Sequence, residues 1–181
     1  MALALSGTSN GSLNNLSLSG NTATIVDTGR AGGIIQVVQA TTSTAVTVST
    51  TTFTDTTLTA SITPTSSTNK VLIMITQEFV NLRSSTSVGM GIRLLRDTTV
   101  IWTPVASGTG PFMWYNSTGT GSHELDGTAT ISYLDSPATT SSVTYKTQGR
   151  PHSSANSGRV VFQYNSTVNP TSTIILMEVV A

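Results

Sequence analysis

Cysteine is absent from this sequence, which excludes a disulfide framework and any thiolate metal site. Charge is also scarce: 9% of residues are Asp, Glu, Lys or Arg, against about 25% in an ordinary soluble domain. The eight basic residues are scattered and the formal net charge is zero, so no phosphate-binding stripe forms and no nucleic-acid partner is expected. No apolar run approaches the length of a membrane span, and the start, MALALSGTSNGS, has neither a basic region nor a long apolar stretch. Neither membrane insertion nor a secretory leader is expected. Convincing helical periodicity is missing throughout, as is a glycine-rich phosphate loop opening a helix.

What is present is hydroxyl. Ser and Thr make up about a third of the chain, and Thr suits a pleated, half-wet surface because its branched Cβ is stiff in the extended conformation. Hydrophobic residues at 37% of 181 positions supply one core of ordinary size. Residues 1–32 differ from the rest: Leu3, Leu5, Leu13, Leu16 and Leu18 alternate with small polar residues and glycines. Such a segment has no local core and is expected to be either a flexible extension or an attachment arm that orders against a sister subunit or a larger assembly.

Residues 33–181 read as strand, turn, strand, which predicts an all-β, antiparallel two-sheet sandwich of jelly-roll type. Strands are predicted at Ile34–Thr42, Ala45–Phe53, Leu58–Ile62, Val71–Val80, Gly91–Arg96, Thr99–Trp102 and Thr128–Leu134, then around Val143–Lys146, Arg159–Tyr164 and Ile174–Val180. Gly91–Arg96 and Thr99–Trp102 form a hairpin in which Asp97 is suited to bond its own backbone. Ala129, Ile131 and Tyr133 face one side of their strand, with Thr128, Thr130 and Ser132 on the other. Val71 to Ile75 and Ile174 to Met177 are apolar on both faces, which implies cover on both sides and hence a homo-oligomer, a homotrimer above all.

Catalytic chemistry is thin. His123 and Glu124 are adjacent on a strand and so point to opposite faces, and His152 follows Arg150-Pro151 in a polar loop. Glu124, Asp126 and Asp135 are the nearest approach to a carboxylate cluster, without a register of aromatic residues to line a substrate groove. No enzyme activity, cofactor or metal is expected. The candidate contact surface is Trp102 with Phe112, Met113, Trp114 and Tyr115 around a Gly- and Pro-bearing loop, since aromatic faces stack on sugars and anchor protein interfaces alike. The sequons at Asn10, Asn15, Asn116 and Asn165 follow from the Ser/Thr-rich composition.

Several blocks carry a resemblance: GGIIQVVQATTST at Gly33–Thr44, SITPTSSTNKVLIMI at Ser61–Ile75, GIRLLRDTTVIW at Gly91–Trp102, TATISYLDSPATTSSVTYKTQGR at Thr128–Arg150, and STIILMEV at Ser172–Val179. In their order and spacing the chain resembles small virion structural proteins and tail-fibre tips of tailed bacteriophages, particularly those infecting cyanobacteria and other aquatic bacteria. The resemblance implies a trimeric sandwich in the virion: a short tail fibre or fibre tip touching a host-surface glycan, or a capsid decoration (head-fibre) protein joined to other virion proteins through residues 1–32. It carries no catalytic motif.

Overall fold

The computed structural model describes residues 31–84, 87–104, 112–116, 121–164 and 168–181. Most of the 1–32 extension, nearly all of the Pro104–Pro111 loop, and the sequons at Asn10, Asn15 and Asn165 lie outside the described residues.

Among the described residues, eleven strands form two antiparallel sheets. In the first, β4 (Lys70–Arg83) is central, and β8 (His123–Asp135) runs along one of its edges for its whole length. The other edge is shared by β11 (Ser172–Val179), which meets Lys70 to Thr76, and β10 (Arg159–Phe162), which meets Phe79 to Leu82. These two therefore lie end to end. Outside them β1 (Ile34–Thr42) pairs with β11 and β2 (Val46–Val48) pairs with β10, again end to end.

The second sheet is built the same way. Its order is β3 (Thr54–Ile62), β9 (Val143–Pro151) and β5 (Ser87–Arg96), with β6 (Thr99–Trp102) and β7 (Met113–Asn116) sharing the free edge of β5. Each sheet is thus four strands wide, and the chain changes sheet at β2–β3, β3–β4, β4–β5, β7–β8, β8–β9 and β9–β10.

Alternation places the core. Val71, Ile73 and Ile75 of β4, Ile174 and Leu176 of β11 and Ile131 of β8 pack against Leu58, Ile62, Ile92, Leu94 and Tyr145 of the second sheet, all under 3% exposed. Burying each such aliphatic side chain contributes about 1.5–3 kcal/mol. The sheets approach closely at Gly149, where an added Cβ would overlap the ring of Phe162. At mid-height the core is polar. The Thr147 hydroxyl donates to Gln77 Oε1 (2.7 Å), Thr56 bonds the same oxygen (3.2 Å), and Gln77 Nε2 donates to Ser172 Oγ (3.2 Å), so groups from both sheets satisfy one another.

Pairing shifts several expected boundaries. The second strand shrinks to Val46–Val48, and the third starts at Thr54, its register broken between Asp55 and Thr59 where Thr57 takes a φ of 67°. The strand expected at Val71–Val80 continues to Arg83, and that expected at Thr128–Leu134 begins at His123, because each offers the other a continuous ladder. Gly91–Arg96 begins earlier, at Ser87, and Val143–Lys146 runs on to Pro151, whereas Arg159–Tyr164 stops at Phe162 and the last strand covers Ser172–Val179. Met113–Asn116 forms a strand that was not expected. Asp97, at φ 53°, bonds across to Thr144 rather than to its own turn: its N–H donates to the Thr144 carbonyl (2.7 Å), and Thr144 N donates to Asp97 Oδ1 (2.9 Å). On the outward side of β4, Met74 is 43% exposed.

Candidate binding surface

The outer face of the second sheet gathers aromatic and cationic side chains over two glycines. Met90, Ile92 and Leu94 of β5 point into the core, so Gly89, Gly91 and Arg93 fall on the opposite face. Gly89 pairs with Trp114 of β7, and His152 N donates to the Gly89 carbonyl (2.7 Å). The indole lies against Gly89 so closely that a Cβ there would stand 2.7 Å from Cε3. The His152 ring meets Trp114 edge-on, centroids 4.3 Å apart at 89°, and Trp114 remains 46% exposed.

One row along, the Phe53 ring reaches over Gly91, with Cζ 3.3 Å from where a Cβ would be. The Arg93 guanidinium carbon lies 4.2 Å from the ring centroid and that of Arg150 4.8 Å, a double cation–π contact. Arg93 donates through Nε (2.9 Å) and Nη2 (2.6 Å) to Gln148 Oε1, and Gln148 Nε2 donates to Asp55 Oδ1 (2.6 Å). Lys146 Nζ donates to Asp55 Oδ2 (2.8 Å), and Arg150 Nη1 donates to the Thr51 carbonyl (3.0 Å). These bonds hold the long side chains in place ahead of any contact.

Two cations, Lys146 and Arg93, act on one carboxylate. Burial acts to raise the Asp55 pKa, but hydrogen bonds from Lys146 and Gln148 outweigh it, and the carboxyl stays below its usual value. Burial and then the neighbouring Arg150 and Arg83 lower the His152 pKa, which favours a neutral ring against the indole.

Of the residues expected to form a contact surface, Trp114 alone belongs to this face. Trp102 sits on β6 opposite Leu94 and packs half-buried on the core, as do Phe112 and Met113. Tyr115 is 47% exposed, but its ring meets His123 of the first sheet at 6.1 Å. Alternation along β7 separates neighbours that sequence proximity had grouped. Phe53, Arg93, Gln148 and Arg150 were missed, although the Gly89-Met90-Gly91 pattern inside a strand signals a close approach to its outer face.

The three carboxylates also separate. Glu124 and Asp126 are exposed near the start of β8, whereas Asp135 lies at its other end, about 30 Å or more away at ~3.3 Å per residue. Asp135 is 6% exposed and structural: it accepts from Arg96 Nη1 (2.8 Å to Oδ2) and from the Tyr145 hydroxyl (2.7 Å). Burial, then the Asp135 hydrogen bond, pushes the Tyr145 pKa far up, so the phenol remains a donor.

No family model and no curated protein sequence matches this chain. Among solved structures, a chain in "Structure of infectious bursal disease virus Gt strain" is similar at 14% identity and a TM-score of 0.28, over 83% of this chain and 37% of that one. So loose a likeness transfers no residue and no role. The chemistry of the surface therefore rests on its own groups: an accessible indole, a Phe ring held by guanidinium groups, and fixed N–H donors beside them. Among the described residues no cluster of His, Asp and Glu is placed to hold a metal ion, and no helix is long and apolar enough to cross a membrane.

Proposed function

We propose that this chain is a non-catalytic structural protein of a bacteriophage virion, a short tail fibre or fibre tip whose sandwich touches a glycan on the host surface. The observation that carries this reading is the half-exposed Trp114 against Gly89, on the same outer face as the guanidinium groups of Arg93 and Arg150 over Phe53. An indole face packs on the C–H face of a sugar, while neighbouring guanidinium groups donate to its hydroxyls. The order of paired strands in the two antiparallel sheets supports the jelly-roll fold implied by the resemblance. The test is binding of purified full-length protein to host cells or their envelope polysaccharide. Trp114→Ala is expected to weaken binding at least about tenfold with the thermal melt unchanged; undiminished binding by a folded variant removes the reading.

A second observation favours the decoration role. Val37, Met177, Leu72 and Leu134 stand in one row across β1, β11, β4 and β8, all on the outward side and without a charge among them. Val37 is 60% and Leu134 48% exposed, an arrangement suited to a neighbouring copy in a homotrimer or to another virion protein. The described chain begins beside this row, where Gly32 N donates to the Val180 carbonyl (2.8 Å) and Val180 N donates to that of Gly33 (2.9 Å). On this reading, removing residues 1–30 abolishes association with phage particles and leaves the sandwich folded. Full decoration by the trimmed protein counts against it.

A further inference from the structure

On the opposite sheet from Trp114, a cleft of about 440 Å³ opens over the outward side of β10, β4 and β8, within the range of small-molecule sites. Its apolar surfaces are Leu82 and Val161, Thr47 lines it from β2, and Tyr164, 38% exposed, adds an aromatic ring. Register explains its charges. Arg159 pairs with Leu82, and Leu82 pairs with Glu124, so the three form one row with the apolar residue in the middle. A smaller hollow of about 130 Å³ shares these three residues and adds the hydroxyls of Ser84, Ser122 and Ser157.

Arg159 and Glu124 line the same space, yet neither side chain makes a hydrogen bond or an ion pair among the described residues. Opposite charges left apart on either side of an apolar residue leave room for a guest between them. A guest carrying charge of a single sign meets its like charge on one side. A neutral guest with hydroxyls at its rim and a C–H face satisfies both: the guanidinium donates to its oxygens, the carboxylate accepts from its hydroxyls, and Leu82, Val161 and the Tyr164 ring take the apolar face.

We propose that this cleft is a binding site for a neutral saccharide of about two sugar units. The site shares no residue with the Trp114 surface and does not rest on the function proposed there. Saturation-transfer NMR on the full-length protein, with maltose, lactose and cellobiose as probes and digalacturonate as charged control, tests it. The expected result is transfer from at least one neutral disaccharide, weakened at least about tenfold in the Glu124→Gln/Arg159→Met variant and retained in Trp114→Ala. Thr47→Trp, which fills the cleft, is expected to block binding as well. Circular dichroism and the thermal melt check that each variant is folded. No transfer from any neutral probe, preference for digalacturonate, or undiminished binding by the folded double variant each overturns the proposal. Loss in Trp114→Ala alone would assign saccharide binding to the other face and overturn it too.

Discussion

At the scale of residues, the polar side chains of this core matter because there are so few charges to spend. Glu178 lies on β11 with no exposed surface, and it accepts from Thr65 N (2.7 Å), the Thr65 hydroxyl (2.8 Å) and Asn69 Nδ2 (2.7 Å). Burial acts to raise its pKa, but these bonds to the ionised form outweigh burial and bring it below the ordinary 4.5. A carboxyl whose pKa falls on folding adds stability that is present above its unfolded pKa and is lost as pH drops through the folded value. Unfolding free energy measured by denaturant titration is therefore expected to fall as pH drops below 4.5, and Glu178→Gln to flatten that fall. An equally steep acid limb in the variant would show that other carboxylates carry the dependence. Nothing in the sequence singled out Glu178, because its partners in the Thr65 to Asn69 turn are more than 100 positions away.

At the scale of elements, alternation identified the strands and pairing decided their lengths. Thr128 to Leu134 is legible because Ala129 and Ile131 are buried and Thr128, Thr130 and Ser132 exposed. His123 to Gly127 alternates more weakly, with half-buried His123, Leu125 and Gly127 between exposed Glu124 and Asp126, and β4 continues opposite it as far as Arg83. The apolar character on both sides of β4 and β11 was also legible, but only one side of each enters the core of the single chain. Met74 of β4 stays exposed on the other, as do Val37 of β1 and Leu134 of β8 on the same face of the sheet. Covering that face with further copies of the chain predicts that Val37→Lys/Met74→Lys shifts the oligomer toward monomer in light scattering, with circular dichroism unchanged. A wild-type protein that is already monomeric at working concentration, or a variant with unaltered mass, contradicts it.

At the scale of the whole molecule, cross-sheet bonds join elements that the chain order keeps far apart. β1 pairs with β11, so the first and last described strands lie side by side and contacts are mostly non-local, a topology that folds slowly for its size. Asp135 fastens one end: from β8 it accepts from Arg96 of β5 and Tyr145 of β9, strands of the other sheet. Asp135→Ala leaves the buried phenol without its acceptor and is expected to cost about 1.5–3 kcal/mol, read as a lower denaturation midpoint at unchanged slope. A shift too small to measure would mean that the core holds the two sheets together without this clamp.

The residues by themselves determined the all-β architecture, because β-branched alternation with polar turns every few positions buries its apolar side by layering or closing a sheet rather than by packing helices. They also determined that charge could not organise the surface, since so little of it exists. Only the tertiary structure decided which side chains meet. Pleat direction sends Trp114 one way and Tyr115 the other, pairing brings Phe53 over Gly91 between two arginines, and register places Arg159 and Glu124 on either side of Leu82. Each of those meetings joins strands distant in the chain, and a side-chain period of two says which face a residue takes but not what stands across from it.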